Sequence, residues 1–341
     1  MKFFSQRLSK EKKKRVLDRI RRVVDSEQFI GGSEVAELET QLSATFGIPA
    51  ITCNSGTDAL TLGLKALGTG PGDEVITTAF TYFATIEAIA AVGAKPVLVD
   101  IDPETYNINA SLIEARITKK TRAVLVVHLY GLACDMAPIV RLCKKRRLKL
   151  VEDCAQSFGA KSGGRLTGTF GDVGCFSFFP TKNLGGFGDG GAVTIRSKDV
   201  ARKFRLLKNH GQPEKYVHAI LGANSRLDTL QAAVLLEKLS WLKEDLAIRK
   251  KMAATWLKKF AADPNVLGLP DQKGHTYNVF TLLVRDRAAF VRELEKENIP
   301  SAIYYERPVY AQRAYIDLFG THAPLPHSAF AAKHVISLPI H

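Results

Sequence analysis

From about residue 50 onward, short apolar runs rich in β-branched residues alternate with segments whose apolar positions recur at helical spacing. This alternation predicts βαβ units, in which amphipathic helices cover both faces of a parallel sheet. A sheet of this kind binds its ligand at the carboxyl ends of the strands. The predicted strands are residues 74–77, 96–99, 123–128, 149–152, 175–178 and 192–195, and the predicted helices are 57–66, 82–92, 111–117 and 136–147.

The pattern changes after Leu227. Residues 228–260 contain no glycine or proline and keep a helical period, which predicts one long helix leading out of the sheet domain. A strand at 279–284, a helix at 287–297 and an aromatic segment at 302–310 follow. We therefore expect a large domain at 1–245, beginning with a helical arm, and a small α+β domain at 246–341.

Composition narrows the class of protein. The chain has 341 residues, 46% hydrophobic and 24% charged, a balance that supports a well-packed core. No segment approaches the roughly 20 apolar residues of a membrane helix, and the start is charged where a signal peptide would become apolar. We expect a cytoplasmic protein. The five cysteines include no CxxC pair and no histidines at zinc spacing, so neither a disulfide framework nor a metal site is expected.

The formal net charge of +14 is compatible with nucleic acid, membrane headgroups or a small anionic substrate. Much of the charge lies in residues 10–22 and 144–149, which we interpret as solvated helix faces. In the first run, Val16, Ile20 and Val23 recur at helical spacing on the opposite face. No aromatic residues interleave with the basic ones, as stacking on single strands would require. The pattern favours an anionic substrate and no nucleic acid.

Lys182 is the first candidate for chemistry. It follows an aromatic strand in CFSFFPTKNLGGFGDGGA and precedes five glycines. Apolar surroundings remove hydration from the ammonium group, lower its pKa and free an amine that can form a Schiff base with an aldehyde. The alternative is a loop lysine that keeps its charge in water beside a core strand.

Two further segments could hold an anionic cofactor. Residues 54–58, NSGTD, precede a predicted helix, and helix N-termini bind phosphate, although plain capping by Ser55 or Thr57 is the alternative. The strand LVEDCAQ delivers Asp153 at its carboxyl end, where a carboxylate could keep a pyridine nitrogen protonated. A surface acid pair, a helix cap or a magnesium ligand are the alternatives for Asp153.

From about Phe29 to the last residue, the chain resembles the DegT/DnrJ/EryC1/StrS aminotransferases. Four motifs carry the resemblance: NSGTDAL, VEDCAQSFGA, FSFFPTKNLGGFGDGGA and GANSRLDTLQAA. The resemblance implies the type I fold of pyridoxal-phosphate enzymes. Its large domain has a mostly parallel seven-stranded sheet, and its small C-terminal domain is α+β. Relatives also continue past a segment like SLPIH, so the resemblance implies a further helix that this chain does not include.

The resemblance implies a role for each matching residue. Lys182 would be the Schiff-base lysine and Asp153 the partner of the pyridinium nitrogen. Gln156 would lie near the hydroxyl group of pyridoxal phosphate, and Tyr82 would stack on its ring. The implied phosphate ligands are Gly56, Thr57, Ser177 and, from the other subunit of a homodimer, Asn224.

The implied reaction moves an amino group from an amino acid, glutamate, to a nucleotide-linked keto sugar, with pyridoxamine phosphate as intermediate. The segment around Arg226 most resembles the branch that aminates 3-keto sugars, and a UDP-2-acetamido-3-keto-uronate is the expected acceptor. The alternatives are a neutral dTDP-3-keto-6-deoxy sugar, a 4-keto sugar and a regulatory, non-catalytic role. A sugar dehydratase would carry histidine at position 182.

The chain departs from the family where many relatives carry His-Tyr-Pro-x-Pro. Here the sequence is Tyr304-Tyr305-Glu306-Arg307-Pro308, so a tyrosine replaces the substrate-facing histidine. We expect Arg226, Tyr304 and Tyr305 to contact the substrate. The departure affects the identity of the sugar and leaves the reaction unchanged.

Overall fold

A seven-stranded sheet forms the centre of the computed structural model, which describes residues 3, 4 and 8–340. Its strand order is β1-β9-β8-β5-β4-β2-β3, and β9 alone runs antiparallel to its neighbours in this sheet. The mostly parallel sheet expected from the resemblance is confirmed. The strands are β1 Ala50–Cys53, β2 Glu74–Thr78, β3 Lys95–Val99, β4 Thr121–Val127, β5 Lys149–Asp153, β8 Val173–Ser177 and β9 Gly191–Ile195, and a small hairpin pairs β6 Lys161–Ser162 with β7 Arg165–Leu166.

Helices bury both faces of this sheet. The strands are nearly uniformly buried, as expected for a sheet with helices on both faces. α3 (Gly56–Ala66) is central to one layer, because six of its residues are buried. The remaining helices of this part are α1 Lys10–Ser26, α2 Ser33–Phe46, α4 Ala84–Ala91, α5 Met136–Arg146, α6 Lys198–Leu207 and α7 Thr229–Ser240.

A second, three-stranded antiparallel sheet follows along the chain. It is formed by β10 (Val266–Gly268), β11 (Phe280–Val284) and β12 (Val335–Leu338), in that order. Its aromatic core includes Trp256, Phe260, Phe280 and Phe290. The accompanying helices are α8 Leu242–Phe260, α9 Arg287–Lys296, α10 Arg313–Phe319 and α11 Pro326–His334. The domain boundary expected at residues 245 and 246 falls inside α8, and the division itself stays a prediction.

Three sequence expectations need correction. The long helix at 228–260 is interrupted at Trp241, whose backbone (φ −115°, ψ 11°) leaves the helical region while its ring is buried against Val16 and Val234. The helix expected at 111–117 is two short 3₁₀ turns, Ala110–Leu112 and Glu114–Arg116. The pattern also missed strand β1, because four residues are too few to show a period.

The basic N-terminal segment forms the helix that its apolar spacing predicts. Val16 and Val23 are buried, and Val16 packs against α7. Arg15 and Arg19 both contact Glu237, which is 7% exposed. No helix among the described residues combines the length and the hydropathy that a membrane span needs. Residues 1, 2, 5–7 and 341 lie outside the described part of the chain.

Candidate active site

A cavity of about 430 Å³ lies at the carboxyl ends of β5 and β8, where the sheet topology predicts a ligand. It brings together segments that are more than 200 residues apart in the chain. Nine of the eleven residues singled out from the sequence line it: Gly56, Thr57, Tyr82, Asp153, Gln156, Ser177, Lys182, Tyr304 and Tyr305. The cavity volume is that of an ordinary small-molecule site.

The phosphate-binding prediction falls at the N-terminus of α3. The Ser55 hydroxyl caps the helix by accepting the Asp58 N–H at 3.1 Å, so the capping alternative is correct for Ser55. Gly56 and Thr57, in the first turn, line the cavity. A Cβ on Gly56 would lie 2.7 Å from the Cβ of Ser177, so only glycine lets the helix start approach the end of β8 this closely. The helix N-terminus and the Ser177 hydroxyl thus form one polar cradle.

Asp153 lies at the end of β5 and is 6% exposed. Its Oδ2 accepts the Thr85 hydroxyl proton at 3.0 Å, and its Oδ1 accepts the Ala155 N–H at 3.1 Å. Burial raises the pKa of Asp153, although both hydrogen bonds and the nearby charge of Lys182 oppose the shift. The carboxylate is therefore held in one orientation, and a cationic partner in the cavity would stabilise its charged form.

Lys182 follows the tight turn that the aromatic strand and the glycine-rich segment predict. Its N–H donates to the Phe179 carbonyl oxygen at 2.9 Å, which closes the turn after β8. A Cβ on Gly185 would lie 2.6 Å from the Pro180 carbonyl oxygen, so the following loop packs closely over this turn. Burial lowers the pKa of Lys182, and the Asp153 carboxylate partly opposes that shift. The amine is thus more readily deprotonated than a surface lysine.

The segment that departs from the family motif is fixed against the cavity by two hydrogen bonds. Gln156 Nε2 donates to the Tyr305 hydroxyl at 3.1 Å, while its Oε1 accepts the Tyr130 N–H at 2.7 Å. The Tyr130 hydroxyl in turn donates to the Tyr304 carbonyl oxygen. The Tyr305 ring lies edge-on to Phe80. Gln156 therefore has an orientation that is set from both ends.

Three of the residues that sequence reasoning missed help to build this site. Thr85 orients Asp153, and Tyr130 orients Gln156. Asn278 lines the cavity and is 3% exposed, and its Oδ1 has no hydrogen-bond partner among the described residues. Thr85 and Tyr130 act across more than 20 residues of sequence, so no local motif could have identified them.

Asn224 and Arg226 do not line this cavity. Asn224 is exposed. Arg226 is half-buried, its Nη1 donates to the Asn209 side-chain oxygen at 3.0 Å, and it lines a separate cavity that also contains Ile30 and Lys208. The sequence assigned Asn224 to the site of a second subunit, and a single chain leaves that role a prediction.

A model of the DegT/DnrJ/EryC1/StrS aminotransferase family matches residues 10–341. The chain is 43% identical to UDP-2-acetamido-2-deoxy-3-oxo-D-glucuronate aminotransferase of Pseudomonas aeruginosa, over 94% of this chain and 89% of the relative. It is 41% identical to dTDP-3-amino-3,6-dideoxy-alpha-D-galactopyranose transaminase of Aneurinibacillus thermoaerophilus, over 96% of this chain and 90% of the relative.

A solved structure has a closely similar fold. The crystal structure of NtdA from Bacillus subtilis, with bound cofactor PMP, superimposes with a TM-score of 0.92 at 31% identity. The match covers 98% of this chain and 78% of that chain. The cavity described above contains the polar cradle, the buried carboxylate and the low-pKa lysine that such a cofactor requires.

Proposed function

Because the chain belongs to the DegT/DnrJ/EryC1/StrS aminotransferase family, we propose that it aminates a nucleotide-linked 3-keto sugar at the cavity around Lys182. The protein is a pyridoxal-phosphate-dependent sugar aminotransferase. The observation that carries the proposed site is the convergence of Lys182, Asp153 and the N-terminus of α3 on one cavity. We also propose an amino donor, an acceptor and roles for residues of the cavity.

The residues of the cavity fit pyridoxal phosphate at three points. Gly56, Thr57 and Ser177 would hold the phosphate, since an α-helix N-terminus and a hydroxyl group meet there. Asp153 would face the pyridine nitrogen, where its buried carboxylate favours the protonated ring. Tyr82, which is 61% exposed and lies at the cavity mouth, would cover the ring. Bound pyridoxal phosphate supplies an aldehyde and an electron-withdrawing ring.

The chain's own residues would move the proton. Lys182 Nζ, with its pKa lowered by burial, is suited to take a proton from one substrate carbon and return it to another atom nearby. Thr85 and Ala155 hold Asp153 in place during this transfer. Gln156, fixed between Tyr130 and Tyr305, would present its remaining amide N–H to the hydroxyl group of the cofactor.

We propose glutamate as the amino donor and a UDP-linked acetamido-3-keto-uronate as the acceptor. The 43% identity to an enzyme named for a 3-oxo-glucuronate substrate supports the acceptor. Arg226 does not line the cavity around Lys182 in its own chain, so it would reach the acceptor from the other subunit of a dimer, where its planar fork suits a uronate carboxylate. The neutral dTDP-linked sugar in the name of the other relative is the second candidate. A panel of keto-sugar nucleotides with glutamate, scored by mass for the aminated product, tests donor and acceptor together.

Arg226→Lys should separate the two acceptors. A uronate enzyme should lose kcat/KM toward the acidic sugar by roughly tenfold or more, because lysine keeps the charge but not the bidentate contact. Efficiency toward the neutral deoxysugar should change little. Steady-state kinetics with both acceptors is the measurement. Amination of the neutral sugar alone by the unmodified enzyme would exclude the uronate and make Arg226 structural, in keeping with its contact to Asn209.

We also propose a homodimer that shares its active sites. Exposed apolar side chains support an interface, among them Phe29, Ile30 and Leu221, which is 84% exposed. They lie on segments that flank Arg226 or come close to it, since Ile30 and Arg226 line the same cavity. Asn224 would then reach the phosphate in the neighbouring subunit.

Mixing two inactive variants tests this arrangement. Each site would take Lys182 from one subunit and Asn224 from the other. In a hybrid of Lys182→Ala and Asn224→Ala subunits, one site therefore carries both changes and the other site carries neither. Statistical mixing should restore about a quarter of the normal activity. The control mixes Lys182→Ala with Asp153→Asn, which both act in their own subunit's site, so each site of the hybrid dimer keeps one defect and activity should not be restored. An active monomer by light scattering at assay concentration would contradict the shared site.

A further inference from the structure

A separate cavity of about 450 Å³ lies at the opposite end of the sheet from Lys182. It is bounded by the start of β5, the segment before β8 and the segment between β9 and α6. The end of α5 forms its remaining wall. No residue of the mechanism proposed above lines it.

The rim of this cavity is strongly basic. Four cationic side chains line it, and Asp172 is the carboxylate among the lining residues that the structure describes. Asp172 is already engaged, since its Oδ1 lies 3.3 Å from Lys149 Nζ and its Oδ2 accepts the Leu150 N–H at 2.9 Å. The cavity therefore has an excess of fixed positive charge, which attracts a multiply charged anion. The four cations are Lys144, Arg147, Lys149 and Arg196.

The basic residues at the end of α5 divide into two groups. Lys145 and Arg146 turn toward Glu114 and pair with it at 3.1 and 2.7 Å. Lys144 and Arg147 are exposed and line the cavity. The first pair is accounted for by its ion pairs with Glu114. The second pair faces a concave surface that can hold a ligand.

The floor of the cavity is apolar. Cys143 and Leu150 are buried, and Phe170 is half-buried beside them. An apolar floor beneath a basic rim matches a ligand with a ring at one end and phosphate at the other. The volume suits a molecule of the size of a nucleoside diphosphate.

A buried hydrogen-bond network links the floor of this cavity to Asp153. The N–H groups of Phe170 and Gly171 both donate to Glu152 Oε1 at 2.7 Å, and the Gly168 N–H donates to Oε2 at 2.8 Å. Glu152 is fully buried and directly precedes Asp153 in β5. A ligand that moves residues 168–171 would therefore change the position of the strand end that carries Asp153.

His128 completes this network. Its Nδ1 accepts the Cys134 N–H at 3.0 Å, so its proton lies on Nε2 and points at Glu152, 3.1 Å away. The side-chain ligand atoms of His128, Glu152 and Cys154 lie within 4.8 Å of one another, a spacing that a metal site would also show. The backbone N–H groups and His128 occupy the Glu152 oxygens, so the cluster is explained by hydrogen bonding alone.

We propose that this cavity binds a nucleoside diphosphate as an effector, and that residues 168–171 and Glu152 transmit its binding to Asp153. The phosphates contact Lys144 and Arg147, and the ring lies on the floor by Phe170. The site differs from the cavity around Lys182, where the nucleotide part of the sugar substrate would bind.

The test compares two double variants of the cofactor-loaded enzyme, with UDP as the probe. Lys144→Ala/Arg147→Ala, the rim variant, removes two of the four cations of the rim, and Lys145→Ala/Arg146→Ala removes the same charge from the same helix end. Titration calorimetry should find one equivalent of UDP per chain fewer in the rim variant than in the control, or that equivalent bound at least about tenfold more weakly. The proposal would be overturned if both variants bound the same number of UDP molecules with the same affinities. Binding of UDP at the active site does not affect this comparison, because both variants keep that site.

The second measurement concerns transmission to Asp153. UDP should shift the pH midpoint of the cofactor's absorbance more in the Lys145→Ala/Arg146→Ala control than in the rim variant. The active site contributes equally to both, so the difference reports the rim cavity alone. An identical shift in both variants would show that the cavity does not communicate with Asp153. Matching unfolding temperatures of the two variants exclude a folding defect as the cause.

Discussion

Lys182→Ala should abolish transamination, a fall of at least about 10⁴-fold, because the variant loses both the nucleophile and the proton carrier. The fold should survive, since alanine fits the turn that the Phe179 carbonyl closes. The unmodified protein should be yellow with bound pyridoxal phosphate. After reduction with borohydride and digestion, mass spectrometry should locate the cofactor on Lys182.

The control is Lys161→Ala, which removes an exposed lysine from the small hairpin of β6 and β7. It should keep the colour and the activity. A reduced adduct on a different lysine in the unmodified enzyme would remove Lys182 from its proposed role. The proposed role of Lys182 would also be wrong if the Lys182→Ala variant turned over nearly as fast as the Lys161→Ala control.

Asp153→Asn should lower turnover by about 10²-fold or more, the loss seen when a central electrostatic partner is removed. An amide cannot favour the protonated pyridine ring, although it can keep one hydrogen bond to Thr85 or Ala155. Single-turnover rates with each half of the reaction should both fall. Thr85→Val is the matched control, because it removes one hydrogen bond to Asp153 and leaves the charge.

Thr85→Val should cost much less activity than Asp153→Asn, since it affects only the orientation of the carboxylate. Turnover of Asp153→Asn at the unmodified rate would refute the proposed role. If both variants lose activity equally, Asp153 contributes to catalysis through the orientation of its side chain and not through its negative charge. Cofactor absorbance across pH separates these cases, because only loss of the charge should move its midpoint strongly.

Local features of the sequence predict the parallel sheet, Lys182 and Asp153 at the carboxyl ends of strands, and the helix start at Gly56 and Thr57. The other five cavity residues were predicted only from the family resemblance: Tyr82, Gln156, Ser177, Tyr304 and Tyr305. A strand of aromatics followed by lysine and glycines predicts a tight turn, and Asn54-Ser-Gly-Thr-Asp58 predicts a helix start. Both features depend on neighbours in sequence, and both are present. The family motifs then order these elements around one site.

What the sequence does not predict depends on packing between distant segments. Thr85 and Asp153 are 68 residues apart, and their hydrogen bond exists because α4 begins beside the end of β5. Trp241 ends a helix whose local pattern would have continued, since burying its ring offsets the lost helical geometry. Asn224 and Arg226 need a second chain before their neighbours can be identified.

The attachment of α1 to α7 bears on how the chain folds. Arg15 and Glu237 are separated by 222 positions, and Trp241 covers Val16 at the same junction. During synthesis α1 emerges first, but Val16 cannot pack against Val234 and Trp241 until the end of α7 has been made. Its apolar stripe is exposed over that interval, and contacts of such long sequence separation form late. The N-terminal helix should therefore be among the last elements to dock. Its many lysines and arginines should limit aggregation before docking.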